Sequence, residues 1–191
     1  ITISGNNAVS GYRRSTGWAK DQILFFYAEF SVPFQNSGTV NETGTGSQTV
    51  KGKWAKAWFQ FDKTKSKAVL LKVGISSVSV ENAKKNLEAE ISGWDFNTVR
   101  VAAGQAWEKE LGRIKVEGDN EDDKTIFYTS LYHCMLAPNI FSDVDGRYRG
   151  MDGNIHTMDR GNMYSVFSLW DTFRALHPLY TMIDPERATT S

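Results

Sequence analysis

The period of the hydrophobic pattern changes near Val80, and this change restricts the chain to folds in which strands precede helices. Before it, Leu71, Val73 and Ile75 alternate with Lys, Gly and Ser, the period of two that is typical of a strand with one buried face. After it, apolar residues such as Leu87 recur at helical spacing. We therefore predict an α+β chain whose two halves differ in architecture.

The first half, up to about residue 80, combines apolar stretches with clusters of Gly, Ser and Asn, which indicates strands joined by turns. Residues 22–34 contain a continuous aromatic run, which predicts a strand covered on both faces, and Pro33 weakens its continuation. Residues 54–61 predict another strand. Residues 35–49 carry little to bury and are predicted as a surface loop.

The second half contains several helix signals. Ser79 and Asp95 are predicted N-caps of two successive helices, and the acidic run at residues 119–123 is predicted to start a third helix, because negative charge favours a helix N-terminus. A last helix is predicted over residues 163–180. The intervening residues 139–162, dense in Gly and Asp, are predicted to form a long functional loop.

The charge balance excludes some classes of partner. Lys and Arg number 22, as do Asp and Glu, so no net field attracts nucleic acid or an anionic membrane. No apolar run approaches the roughly 18 residues of a membrane span. The chain starts at Ile1 rather than Met, which we interpret as a processed or truncated product. We therefore expect a neutral partner, with no nucleic acid and no membrane span.

A candidate sugar-binding group lies near the end of the chain. Trp170, Asp171 and Arg174 place an indole, a carboxylate and a cation within one helical turn. An aromatic face can stack on a pyranose, and a carboxylate can accept two hydroxyl hydrogen bonds. The alternative is a core Trp beside an i,i+3 Asp–Arg pair on a solvated helix. From periodicity alone, that alternative is favoured.

The acidic loop that contains Asp143, Asp145 and Asp152, with glycines between them, is a candidate calcium site. The loop lacks the residue order and the closing acid of an EF-hand, so Asp-Gly turns with Arg147 and Arg149 paired to the acids explain it more simply. The three histidines are too widely spaced for a helical zinc pair. We therefore assign no metal ligands to this chain.

Two catalytic motifs are also absent from the sequence: no GxSxG elbow and no GxxxxGK[ST] phosphate loop occurs.

Five segments, in order and across nearly the whole chain, resemble landmarks of glycoside hydrolase family 92. They are GYRRSTGWAKDQ (residues 11–22), FYAEFSVPF (26–34), VSVENAKKNLEAEISGWDF (78–96), FYTSLYHCMLAPNIFSDVDGRYRGMDG (127–153) and YSVFSLWDTFRALHPL (164–179). The resemblance implies the end of an N-terminal β-sandwich over residues 1–78, a helical linker over 79–118, and the first helices of an (α/α)6 barrel over 119–191.

The resemblance also implies an activity. Family members are calcium-dependent, exo-acting α-mannosidases that invert configuration and act on mannose-containing glycans. Their catalytic acid, base and calcium ligands lie beyond the position of Ser191, so we expect no catalytic residue here, calcium ligands outside this segment, and an inactive chain that needs the remainder of its own polypeptide. Trp170 and Asp171 match a family motif whose Asp contacts mannose hydroxyls. With this resemblance, substrate contact by the pair is favoured over the structural alternative given above. Trp18 is expected to pack within the sandwich.

A periplasmic or secreted location follows from the family by analogy alone. The alternative function, from a different class, is a non-catalytic carbohydrate-binding or scaffolding module in which the strand-rich half and Trp170 bind sugar without hydrolysis.

Overall fold

The computed structural model describes residues 1–46, 48–62, 64, 67–185 and 188. The chain divides into two compact units, one comprising Ile1–Trp94 and Ser142–Thr157, the other Asp95–Phe141 and Met158–Ser191. The strands are β1 (Thr2–Ser4), β2 (Ala8–Ser15), β3 (Gln22–Phe30), β4 (Asn36–Asn41), β5 (Gly44–Gly46), β6 (Lys56–Gln60), β7 (Leu71–Ser76), β8 (Arg147–Arg149) and β9 (Ile155–Thr157). The helices are α1 (Val80–Glu90), α2 (Phe96–Leu111), α3 (Glu121–Cys134), α4 (Leu169–Thr172) and α5 (Leu176–Ile183).

The first unit contains two antiparallel sheets and a hairpin. Their strand orders are β1-β2-β3-β7 and β5-β4-β6, and β8 pairs with β9. The larger and smaller sheets enclose a core in which the rings of Phe30 and Phe59 lie 4.9 Å apart. The buried members of this core are Ile3, Val9, Ala28 and Phe34. This packing of two sheets confirms the predicted sandwich character of the first half.

Strand β7 is buried on the face opposite to the predicted one. Leu71, Val73 and Ile75 are exposed, whereas Gly74 and Ser76 are buried. Helix α1 packs on the small-residue face, because Gly74 lets it approach until an added Cβ would lie 2.1 Å from the Ala83 carbonyl oxygen. The period of two therefore identified the strand correctly, but close helix packing determined which face is covered.

Two further expectations about the first half are wrong. The strand predicted over residues 22–34 ends at Phe30, and it is not covered on both faces, since Leu24 is exposed. Residues 35–49 are not a plain surface loop, because β4 and β5 form a hairpin there and Thr39 is fully buried. Their β-branched Thr and Val residues suit a strand that pairs with the aromatic β6, although the segment has little apolar surface.

The predicted N-caps are confirmed. The Ser79 hydroxyl accepts a hydrogen bond from the Asn82 amide at 3.1 Å and starts α1. The Asp95 carboxylate accepts from the Asn97 amide at 2.9 Å and starts α2. Hydrogen bonds from the Thr98 hydroxyl and the Thr98 backbone amide, and then that from the Asn97 amide, lower the pKa of Asp95. The third helix begins at Glu121, inside the acidic run, with Asn120 as its cap.

Helices α2 and α3 belong to the second unit, where the rings of Trp107 and Tyr132 lie 4.6 Å apart. Arg113, just after α2, donates to the Ile183 carbonyl at 2.7 Å and pairs with Asp184 at 3.3 Å, which ties the end of α2 to the end of α5. No helix in the described part of the chain has the length and apolar character required to cross a membrane.

The single helix predicted over residues 163–180 is wrong. Tyr164 forms an isolated bridge with Ile140, and the helical part is split into α4 and α5. Pro178 explains the interruption: its ring would clash with the Arg174 carbonyl inside a longer helix, but it is tolerated in the first turn of a helix that starts at Leu176. The predicted loop at residues 139–162 is not structureless either, because it contains β8 and β9. The predicted division at residues 78 and 118, and the barrel itself, stay predictions.

Candidate functional site

Trp170 and Asp171 lie on α4, a helix of four residues that starts after Ser168. The Trp170 side chain is 82% exposed, so it is not the core residue of the alternative interpretation. Asp171 is also exposed, and no described residue donates a hydrogen bond to its carboxylate. Arg174 does not pair with Asp171, and its guanidinium carbon lies 5.4 Å from the centre of the Phe173 ring. The indole and the carboxylate are therefore both available to a ligand.

The neighbouring residues hold this short helix in place. The Thr172 hydroxyl and His177 Nε2 lie 2.9 Å apart, and the Phe167 ring meets the His177 ring edge-on at 4.9 Å. The Tyr180 hydroxyl donates to the Ala137 carbonyl at 2.7 Å and also contacts the Cys134 carbonyl. Although exposed, α4 is therefore joined to a packed group of aromatic rings. His177 therefore has a structural role in this group.

A second polar centre lies in the first unit, around Asp143. This carboxylate is only 6% exposed, and it accepts hydrogen bonds from the Ser76 hydroxyl at 2.6 Å and from the side-chain amides of Asn82 and Asn86, each at 2.7 Å. Asn86 in turn accepts from the Val144 amide at 2.9 Å. Three donors from β7 and α1 therefore hold a segment that lies about sixty residues later in the chain.

Asp145 extends this centre toward solvent. Burial disfavours its charged form, but hydrogen bonds from Arg147 and Lys85 outweigh burial and lower the pKa of Asp145 to about 2. The guanidinium of Arg147 also contacts the Asn82 side-chain oxygen. The predicted pairing of Arg147 with an acid is confirmed. The pairing predicted for Arg149 is wrong, because its guanidinium donates to the Ser77 and Gly153 carbonyls.

The third acid of this loop, Asp152, lies at the tip of the β8–β9 hairpin. Its carboxylate accepts from the Asn154 amide and side chain at 3.0 and 2.9 Å, and His156 Nε2 lies 3.0 Å from both carboxylate oxygens. The hydrogen bonds from Asn154, and then that from His156, lower the pKa of Asp152 to about 2. His156 is thus fixed by a carboxylate on its own hairpin.

These contacts decide whether the loop fits calcium. The oxygens of its three acids already accept hydrogen bonds from side chains or backbone amides. Within the described residues, no group of three or more His, Cys, Asp and Glu side chains is arranged to hold a metal ion. The loop therefore does not fit a calcium site, and calcium chemistry is not assigned to it.

Sequence reasoning missed two members of this centre, Asn82 and Asn86. Their spacing of four residues places both amides on one side of α1, which is a signal that the apolar pattern of the helix obscured. The expectation that Trp18 packs within the sandwich is wrong, because its side chain is fully exposed.

Comparison with known proteins identifies the chain. Residues 1–76 match the glycosyl hydrolase family 92 N-terminal domain, and residues 82–191 match the glycosyl hydrolase family 92 catalytic domain. The fold and these matches define a glycoside hydrolase polypeptide with parts of two domains. The chain belongs to glycoside hydrolase family 92.

Solved structures show the same fold. A family GH92 α-mannosidase from Bacteroides thetaiotaomicron is 34% identical with a TM-score of 0.85, and a family GH92 inverting mannosidase from the same organism is 31% identical with a TM-score of 0.83. In each case 94% of this chain and 25% of the other chain are covered. An uncharacterized secreted glycosidase of Arthroderma benhamiae is 33% identical over 88 residues, which are 44% of this chain and 11% of that protein. The chain thus spans about a quarter of the length of these solved relatives.

Proposed function

We propose that the protein is an exo-acting α-mannosidase that releases terminal α-linked mannose from glycans with inversion of configuration. Its similarity to an α-mannosidase and to an inverting mannosidase, each over 94% of the chain, supports this proposal. The first of these enzymes has also been solved in complex with mannoimidazole. Membership of a hydrolase family therefore gives the reaction class, and the solved relatives suggest the sugar.

The observation that carries the proposal is the state of Trp170 and Asp171. An exposed indole offers a flat apolar surface to the C–H face of a pyranose. A carboxylate that accepts no hydrogen bond from a described residue can accept two from adjacent sugar hydroxyls. The two side chains lie on consecutive residues of one short helix, and both are exposed there.

Hydrolysis with inversion needs an acid and a base whose carboxyl groups lie about 6.5–9.5 Å apart, with a water molecule between them. We infer that both groups, and the calcium ligands, lie outside this segment, and that the segment alone does not hydrolyse mannosides. Calcium would supply oxygen coordination and Lewis acidity when bound. Removing calcium with a chelator should then abolish the activity of the complete protein, and adding calcium should restore it.

The decisive experiment compares wild type with Asp171→Asn and Trp170→Ala on an aryl α-mannoside, using the complete protein with calcium. Each loss of a substrate contact should lower kcat/KM about tenfold or more, because a charge-assisted hydrogen bond or a stacked ring contributes about 1–3 kcal/mol. Val166→Ala is the matched control, since Val166 is an equally exposed apolar residue near α4. Unchanged kinetics in both variants would refute the site.

Absence of hydrolysis in the complete protein, with retained mannose binding, would instead favour the non-catalytic carbohydrate-binding module.

We further propose a periplasmic or secreted location, which the name of the Arthroderma benhamiae relative supports. Fractionation of the native cells, with activity measured in the medium, periplasm and cytoplasm, would test it. Activity confined to the cytoplasm would contradict the proposal.

A further inference from the structure

The apolar side of β7 is exposed, although it belongs to the core face of the larger sheet. Val73 pairs with Ala28 and Leu71 pairs with Phe30. Residues directly opposite each other in an antiparallel pair project from the same face. Ala28 is buried in the core and Phe30 packs against it, yet Leu71 is 54% and Val73 47% exposed. The apolar layer of the sandwich therefore continues beyond the area that the smaller sheet covers.

The smaller sheet ends on the same side as the larger one. The Phe59 ring on β6 lies 4.9 Å from the Phe30 ring, and the Phe61 ring, just after β6, lies 5.1 Å from it. Strand β6 thus faces β3, which is the neighbour of β7. Among the described residues, β6 and β7 are the last strands of their sheets. This side of the sandwich is therefore open.

The opposite side of the sandwich is closed. There the chain that follows β5 reaches the other edge of the larger sheet, where Thr2 on β1 forms a bridge with Thr49. The Ile3 amide also donates to the Gln48 carbonyl at 2.8 Å. The first unit therefore joins its two sheets on the β1 side, and the open β7 side is the exception.

The exposed side of β7 carries no feature that protects an edge strand. Such strands usually have charged side chains, Pro or a bulge that prevent pairing with another strand. The one charged residue of β7, Lys72, lies on the α1 face, where its ammonium donates to the Ile91 carbonyl at 3.3 Å and lies 3.6 Å from the Glu29 carboxylate. An apolar edge without protection is typical of a strand that has a neighbour in the complete protein.

We propose that strands of this protein's own N-terminal domain, from outside these 191 residues, pair with the edges of β6 and β7 and cover Leu71, Val73 and Ile75. A strand fits because a sheet edge binds another strand through backbone hydrogen bonds. Residues 1–76 match that domain, and the chain covers 25% of the length of two solved relatives, which leaves ample polypeptide to supply the strands. The inference goes beyond the proposed function and does not depend on it.

Thiol labelling of the complete protein measures whether this face is covered. Val73→Cys should react with N-ethylmaleimide about a hundredfold more slowly than Lys84→Cys, because a covered thiol reacts only when its surroundings open. Lys84 is the matched control, since its side chain is 50% exposed on α1. Peptide mass spectrometry separates both sites from Cys134. Equal labelling rates would overturn the inference.

Photo-leucine, incorporated in place of leucine, identifies what covers the face in the wild-type sequence. We expect the monomeric complete protein to form a cross-link from Leu71 to a peptide of its own N-terminal domain that lies outside these 191 residues. A cross-link from Leu71 to a second copy or to the catalytic domain instead would overturn the inference. Rapid hydrogen exchange of the β7 amides that face away from β3 would also overturn it, since an added strand would bond them.

Discussion

Replacing Asp143 with Asn tests the buried centre most directly, because the side chain keeps its shape while its hydrogen-bonding pattern changes. Oδ2 of Asp143 accepts from Ser76 and Asn82, and Oδ1 accepts from Asn86. An Asn at this position can keep one acceptor oxygen. It would retain the two bonds at the Oδ2 position and place its own NH₂ group against that of Asn86.

The cost has two parts. One buried donor loses its acceptor, which costs about 1–3 kcal/mol, and two charge-assisted bonds become neutral, which removes about 1 kcal/mol each. The sum of about 3–5 kcal/mol is a large part of the roughly 5–15 kcal/mol that stabilises an ordinary domain. Water would reach the centre only with difficulty, since Asn82 is 0% exposed.

Native-state hydrogen exchange is the appropriate assay, because it reports opening free energies separately for each part of the chain. We expect the protection of α1 and β7 to fall by about 3–5 kcal/mol, while α2 and α3, which belong to the other unit, serve as the internal control. Asp21→Asn is the matched control variant, since Asp21 pairs with Arg14 at the surface and should change protection little. A change below about 1 kcal/mol for Asp143→Asn would refute the reasoning.

Three further predictions concern the same unit. Gly74→Ala should lower the free energy of unfolding by about 3 kcal/mol, because the new Cβ would overlap the Ala83 carbonyl oxygen and displace α1. The urea midpoint should therefore fall, and an unchanged midpoint would contradict this prediction. The pKa of Asp145 is lowered from 3.8 to about 2, so the ionised carboxylate stabilises the fold fully above pH 4, and this contribution is lost as pH falls toward 2. The Tm of the wild type should decline between pH 4 and pH 2, and it should decline less steeply in Asp145→Asn. Ser79→Ala should cost about 1 kcal/mol by removing the cap of α1, measured by the same denaturation, and Ser92→Ala outside the helix should cost less.

Much of the fold was predictable because its signals are local. A change of period near Val80 separated strands from helices, and the side chains of Ser79 and Asp95 marked two helix starts. Burial was less predictable. The apolar residues of β7 are exposed because α1 packs against the glycine face, and only three-dimensional contact distinguishes the two faces.

The candidate sites show the same distinction. Trp170 and Asp171 were found from the spacing of the motif and from the resemblance, and the structure adds that both are exposed. Their contact with sugar stays a prediction. The Asp143 centre could not be predicted, since its donors Asn82 and Asn86 lie about sixty residues earlier in the chain and nothing in the sequence pairs them with an acid. Long-range polar pairing has no sequence period to reveal it.

The return of residues 142–157 to the first unit has a consequence for the order of folding during synthesis. When Asn82 and Asn86 leave the ribosome, the carboxylate that satisfies them has not been made, and at about 5–20 residues per second it follows several seconds later. In that interval α1 can pack on β7 only with unsatisfied amides or with water between them. The nascent chain should therefore be able to pair β1 to β7 before Asp143 emerges, and α1 should gain its full protection only afterwards.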